Sequence, residues 1–333
     1  MKRLLGTCAA VLAIAAFVGV SACSKRSASD NPAADAGTVG TQLTLALNWV
    51  PEPEFGGFYA AREGGAYRRQ GLNVDIMGGG AGVPVVQMVA TGRVDFGTVG
   101  GDEVIVARAR GADVVAVFAT FQTSPQGIMV HASRKFESLR DVFRSGTLAI
   151  EPGLPYAAFL KKQFDWEGVE IVPYDGGVAR FLADPTFAQQ CYVTSEPIAA
   201  QKQGSDPQVF LIADAGFNPY ATVVITRREL VAQKPEMVAA FVAATAEGWR
   251  SYLVDPEPTN AVIARLNPSM DAVALKAAAD AQKPLIETEH TRRSGLGSMT
   301  TDRWEILAKQ LLELRIIERA PTVSEIFVRV GVK

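Results

Sequence analysis

Leu45-Ala-Leu-Asn-Trp-Val-Pro-Glu-Pro-Glu-Phe-Gly-Gly-Phe-Tyr-Ala-Ala61, running into Gly65-Ala-Tyr-Arg-Arg-Gln-Gly-Leu-Asn-Val-Asp75, sets the reading of everything that follows. Apolar residues alternate at Leu43, Leu45 and Leu47, the period of a half-buried strand, and Pro51 and Pro53 forbid its continuation. A helical run is expected from about Phe55. Asn48 and Trp49 therefore fall at the carboxyl edge of a strand, facing a helix N-terminus, which is where ligands sit in an open α/β sheet. Trp49 offers a flat face for stacking and Asn48 both donors and acceptors. Burial of Trp49 in the core is an equal alternative on these residues alone.

Downstream, the periodicity predicts a second strand at 72–77, the glycine-rich run Gly78-Gly-Gly-Ala-Gly82, and a helix at 83–90 with Pro84 in its first turn. A strand at 94–99 leads through Gly100 and Gly101 into a helix at 102–110. Gly80, Gly82, Gly100 and Gly101 are candidates to offer backbone N–H groups at the positive ends of helices, suited to a phosphate, a carboxylate or an electron-rich ring edge; plain tight turns are the rival. The run lacks the Walker lysine and the dinucleotide spacing, which excludes nucleotide hydrolysis and Rossmann cofactor binding. An almost wholly apolar strand at 114–120 reads as buried on both faces, and the strand-helix rhythm predicts a parallel, doubly covered sheet.

The pattern breaks at 122–127, where the chain crosses to a second lobe. Strands are expected there at 147–150, 169–173, 190–193 and 209–213, with Pro155 closing a turn before a helix at 156–164 and Gly176-Gly177 opening another. Tyr192-Val-Thr-Ser-Glu-Pro197 ends a strand and caps a helix, Ser195 fitting the N-cap role. Glu196 is then either a dipole-favoured solvated carboxylate or an acceptor for a ligand donor. Gly216-Phe-Asn-Pro-Tyr220 reads as the return crossing, and 222–226 as an antiparallel strand added to the first lobe. From 235 to 314 the pattern is helical, with Trp249 and Trp304 as core anchors.

The composition is 48% hydrophobic with a net charge of −2, which describes a globular protein with no electrostatic sign of nucleic-acid binding. Met1-Lys2-Arg3 is basic, 12–20 is apolar but short for a membrane span, and Val20-Ser-Ala-Cys23 resembles a bacterial lipobox. That resemblance implies a signal peptide at 1–22, a lipidated Cys23, and a tether over 23–40. Cys8 leaves with the signal, so Cys191 has no partner for a disulfide or a cysteine zinc site and is expected to be a buried, inert thiol. His131 and His290 are too far apart in sequence to suggest a metal centre, and no cofactor is expected.

Asn48-Trp49-Val50-Pro51, the following helix with Tyr59, Gly71-Leu-Asn-Val74, Gly92-Arg-Val-Asp-Phe-Gly97, Tyr192-Val-Thr-Ser-Glu-Pro197 and Asp214-Ala-Gly-Phe-Asn-Pro-Tyr220 together resemble the SsuA/THI5-like (NMT1) family of periplasmic binding proteins. The resemblance implies an α/β, type II periplasmic binding protein fold, with lobe 1 at 41–127 and 221–333, lobe 2 at 128–220, and a central cleft under a hinge of two crossings. Asn48, Trp49 and Tyr59 would close against Tyr192 and Glu196, with Pro155, Asn218, Tyr220 and the four glycines nearby. It implies a monomer on the periplasmic side, held to the membrane by lipid on Cys23 and partnered by an ABC permease and its ATPase subunit. The expected ligand is a small flat heterocycle such as a thiamine pyrimidine precursor; an aliphatic sulfonate, taurine or riboflavin is the alternative. The family also contains a hydroxymethylpyrimidine synthase with pyridoxal phosphate on a lysine. That lysine and a histidine follow the Val-Asp-hydrophobe-Gly strand, where this chain has Val99 and Glu103, so enzyme activity is not expected.

Overall fold

Alternation at Leu43, Leu45 and Leu47 yields strand β1 (Thr41–Ala46) with all three leucines buried. The structure is a computed structural model and describes residues 40–330; the expected signal segment, Cys23 and the tether as far as residue 39 lie outside the described residues. One 3-10 turn at Pro53–Phe55 leads into α1 (Gly56–Glu63), then α2 (Ala66–Arg69), β2 (Leu72–Met77), α3 (Val85–Ala90), β3 (Phe96–Val99), α4 (Gly101–Ala109) and β4 (Val114–Phe121). β1 pairs in parallel with β2 and β3. A second sheet follows, from β5 (Gln126–His131), α5 (Leu139–Val142), β6 (Thr147–Ala149), α6 (Pro155–Gln163), β7 (Glu170–Val172), α7 (Ala179–Ala183), β8 (Phe187–Tyr192), α8 (Glu196–Lys202) and β9 (Pro207–Leu211).

The chain then returns to the first sheet as β10 (Ala221–Arg227). Helices α9 (Arg228–Gln233), α10 (Pro235–Val254), α11 (Glu257–Leu266), α12 (Ala272–Ile286), α13 (Glu289–Ser294), α14 (Thr301–Glu313) and α15 (Val323–Ile326) complete the described residues. Among the described residues no helix is long and apolar enough to cross a membrane. Several expected boundaries move: the strand placed at 190–193 begins at Phe187, the one at 94–99 begins at Phe96, the helix at 83–90 begins at Val85, the strand placed at 209–213 runs two residues earlier and gives way to a 3-10 turn at Ile212–Ala215, and α7 begins after Val178 rather than at the glycine pair.

The sheets are ordered β2-β1-β3-β10-β4 and β7-β6-β8-β5-β9. Both sheets are mixed: the antiparallel return strand expected at 222–226 is present in the first, and the antiparallel strand of the second is not anticipated by the strand-helix rhythm. β10 runs antiparallel to β3 and β4, and β5 runs antiparallel to β8 and β9. Each of these is the strand that enters its sheet from a crossing. A chain leaving one sheet at its carboxyl edge and entering a facing sheet at that sheet's carboxyl edge must run against its new neighbours. The two exceptions therefore place both carboxyl edges on one cleft.

The crossings lie side by side. Ser124 N–H donates to Asn218 Oδ1 at 2.9 Å, joining the two, and Arg303 of α14 donates to Asn218 O and Oδ1 at 3.0 Å from Nη2 while its guanidinium lies 3.9 Å over the Tyr220 ring. Exposed ion pairs bridge the lobes at Lys202–Asp271 and Lys162–Glu313, each of small energetic weight in water. The β4 edge is covered by Gly297 and Val328, whose backbones bond to Ala119 and Ala116.

Lobe 1 packs around fully buried Trp249 and Trp304, as the helical spacing anticipates. Phe96 stacks on Phe241 at 3.9 Å and Phe58 meets Trp249 edge-on at 5.9 Å. α1 and α10 touch backbone to backbone, since a Cβ on Gly248 would lie 2.2 Å from Gly57 O. Gly248→Ala should therefore destabilise by about 1–3 kcal/mol, the range for overpacking a close contact. Urea denaturation checks this; an unchanged midpoint would contradict the close approach.

Candidate functional site

A cavity of about 650 Å³ opens between the facing carboxyl edges, and Asn48, Gly100, Asp102, Pro155, Tyr192 and Tyr220 are among the residues lining it. Asn48 is oriented by Thr98, whose hydroxyl accepts Asn48 N–H at 3.1 Å and donates to Asn48 Oδ1 at 2.7 Å. The hydroxyl has one proton, so the Asn48 NH₂ group remains to donate elsewhere. Trp49 is not a core residue: it is 43% exposed, and its indole N–H is turned toward the Glu52 carboxylate. The Pro-Glu-Pro turn beneath it is pinned from behind, because Asn267 Nδ2 donates to Pro51 O at 3.0 Å and Gln282 Nε2 to Pro53 O at 2.9 Å. Thr222, also lining the cavity, has φ 48°, a strained backbone for a β-branched residue.

From the second lobe, Glu196 is held by both oxygens. The Tyr174 hydroxyl donates to Oε1, and Tyr192 N–H donates to Oε2 at 2.7 Å. Ser195 occupies the N-cap position of α8, but its side chain makes no capping hydrogen bond; the following glutamate ties that turn together instead. Tyr156 donates to Gln190 Oε1, which also accepts Glu151 N–H at 2.6 Å.

Several expected contacts are placed differently, and Trp49, Glu196, Gly101 and Asn218 are not among the residues lining the cavity. Tyr59 is 1% exposed within the lobe 1 core and is not among the cavity-lining residues. Gly80 and Gly82 stand away from the lining, which is formed there by Val83 and Pro84. It is Gly79 whose lack of a side chain matters, since a Cβ there would lie 2.0 Å from Leu47 O. Both N–H groups at the start of α4 are already engaged: Gly100 donates to Glu103 Oε1 at 3.1 Å and Gly101 to Tyr220 O at 2.8 Å. The Asn218 carbonyls are likewise occupied in joining the crossings. Cys191 is buried, and burial pushes its thiol well above the usual range. His131 stacks on Phe181 and bonds to its carbonyl, a structural role. Among the described residues no group of acidic, His and Cys side chains could hold a metal ion.

The sequence reading overlooked the charge other than that of Glu196. Glu52 and Glu54 begin α1's approach, Asp102 and Glu103 begin α4, and Glu196 begins α8, so three helix starts at the cleft carry carboxylates. Glu54 is only 7% exposed. Burial first, then Glu52 and Glu196, push its carboxyl well above the usual range. Burial and Glu196 push Glu52 up to about 7, which the Trp49 N–H only partly opposes. Burial also raises Asp102 and Glu196, against the hydrogen bonds each accepts. Glu103 is pushed to about 7 by burial and then by Asp102, but its surface is open to water, which screens the effect. Among the described residues Arg110 is the one basic residue lining the cavity, and it stands at the opposite end of α4, about 13 Å along the helix.

These shifts have a sign for stability. A carboxyl raised in the folded state holds a proton that the unfolded chain has already released, so its contribution is full at low pH and is lost as pH climbs through the raised value. The melting temperature of the ligand-free protein should fall between about pH 5 and about pH 8, and Glu54→Gln should flatten that fall. Carboxylates held low, such as Asp184 and Asp271, lose their contribution only at more acid pH. A melting temperature that rises across this window would contradict the buried carboxylates.

Comparison with known proteins agrees with this arrangement. The family described as NMT1/THI5 like matches residues 52–259. The riboflavin-binding protein RibY of Chloroflexus aurantiacus is 26% identical over 286 residues, covering 82% of this chain and 81% of that protein. The formylaminopyrimidine-binding protein of Halalkalibacterium halodurans is 23% identical over 300 residues, covering 87% and 88%. The periplasmic aliphatic sulphonate binding protein SsuA from Escherichia coli superposes with a TM-score of 0.69 at 14% identity, over 87% of this chain and 92% of that one, a likeness of fold.

Proposed function

Because the chain belongs to the NMT1/THI5-like family, we propose that it is the solute-binding component of an ABC importer, not an enzyme, and that it captures a small flat heterocycle bearing hydrogen-bond donors. The observation that carries this is the set of carboxylates at three cleft-facing helix starts. An aliphatic sulfonate would need those helix ends free to bind an anion. Here it would meet Glu54, Asp102 and Glu196 instead, and like charges oppose one another most strongly where water is scarce. A ring with amino or imino donors finds acceptors there, with the exposed face of Trp49 for stacking and the Asn48 NH₂ for a ring acceptor.

The relatives named for riboflavin and formylaminopyrimidine binding support a ring over an anion. A thiamine pyrimidine precursor stands first, since its amino group matches the carboxylates. A flavin stands second, favoured by the 650 Å³ cavity, which has room for a tricyclic ring. Lipid on Cys23 would hold the protein beside its permease, on the periplasmic side of the membrane.

A thermal-shift screen of the purified protein against 4-amino-5-hydroxymethyl-2-methylpyrimidine, riboflavin, taurine and an alkanesulfonate tests the reading, because a ligand of the folded state raises the melting temperature. A rise with the pyrimidine or the flavin is expected, and none with the sulfonates. Trp49→Ala should weaken the ring ligand about ten-fold or more while leaving the ligand-free melting temperature unchanged. A rise with sulfonates alone would overturn the ligand class.

A further inference from the structure

Among the described residues Thr222 is the one β-branched residue with a positive φ. It is 4% exposed and lines the cavity. Its hydroxyl has no hydrogen-bond partner among the described residues, yet it is not one of the side-chain atoms sealed from solvent, as the unpartnered Thr120 hydroxyl is. The opening that reaches it is the cavity. A buried hydroxyl without a partner and a left-handed backbone at a β-branched residue both cost stability, and native proteins keep such features where a ligand completes them.

Two further polar groups line the cavity beside it. Ala221 pairs with Phe121, and Asn218 accepts Ser124 N–H, so the start of β10 lies against the outgoing crossing, where Ser124 and Gln126 also line the cavity. Ser124 is likewise 4% exposed; its Oγ accepts Gln126 N–H at 3.4 Å, and its proton has no acceptor among the described residues. Gln126 donates from Nε2 to Cys191 O at 3.2 Å, which leaves Oε1 as a free acceptor.

Resting on the function proposed above, we infer that Thr222, Ser124 and Gln126 form a neutral polar subsite at the base of the cleft, which selects a ring ligand carrying a hydroxylated side chain. The three groups offer two hydroxyl protons and one amide oxygen, and none carries a charge. Their partner must both accept and donate. An alcohol does both, whereas a sulfonate only accepts and an ammonium only donates. The cavity extends from Asn48 to these crossings, so it holds a side chain together with its ring.

Matched pairs sharing one ring separate this subsite from the parent reading: riboflavin against lumiflavin, and 4-amino-5-hydroxymethyl-2-methylpyrimidine against 4-amino-2,5-dimethylpyrimidine. Isothermal titration should show the hydroxylated member of whichever pair binds to be tighter by about ten-fold, the step that one or two neutral hydrogen bonds supply. Thr222→Val should shrink that advantage without affecting the partner that lacks the hydroxyl. Its ligand-free melting temperature should stay at or above that of the parent protein, because the hydroxyl it removes has no partner there. Thr222→Ser should restore the advantage, and Ser124→Ala serves as a second variant. Equal affinity within the pair that binds, or an advantage that survives both Thr222→Val and Ser124→Ala, overturns the subsite and leaves the heterocycle reading standing. Binding of neither pair overturns both.

Discussion

Two lobes joined by crossings that leave and enter at carboxyl edges can be built in only one way, and most of this molecule follows from it. The strand arriving from each crossing is forced antiparallel, so β5 and β10 mark where the chain changes lobes. All other strand ends then point into the same cleft, and the loops after β1, β3, β6 and β8 supply its walls. The crossings are tied to each other by Asn218 and Ser124 and clamped by Arg303, so motion of one lobe against the other is channelled through two short, hydrogen-bonded segments.

Chemistry enters through what those strand ends carry. Helix starts at a cleft ordinarily favour anions, since their N–H groups are unpaired and their dipoles positive. In this chain the start of α4 neutralises itself, as Glu103 takes the Gly100 N–H and Asp102 accepts from the first turn of its own helix, while Glu196 takes the Tyr192 N–H at the end of β8. The surplus is negative charge in a place partly shielded from water. That arrangement costs the free protein stability near neutral pH.

Much of the fold was legible because its signals are local. The leucine alternation, the Pro51 and Pro53 stops, the 72–77 strand and the long helices after 235 rest on periodicity and on proline's missing N–H. Trp49 and Asn48 were readable as an edge pair for the same reason. The glycines misled because a glycine-rich turn shows that N–H groups exist, without showing whether a carboxylate three residues on has taken them. Gly100-x-x-Glu103 did carry that signal, as the glutamate half of a capping box, the glycine having no side chain to return the bond. Tyr59 fell in the core because α1 turns that face toward its own lobe, an orientation set by the glycine contact with α10 far along the chain. Glu52 and Glu54 stood in the opening stretch, but their meaning depends on Glu196 facing them, a juxtaposition across more than a hundred residues that no local pattern records.

The most direct test of this account is electron density for the protein crystallised with 4-amino-5-hydroxymethyl-2-methylpyrimidine. The account predicts the ring against the face of Trp49, with its amino group within about 3.2 Å of a carboxylate oxygen of Glu196 or Glu54. Density for the ring elsewhere, with those carboxylates still without a ligand donor, would contradict it.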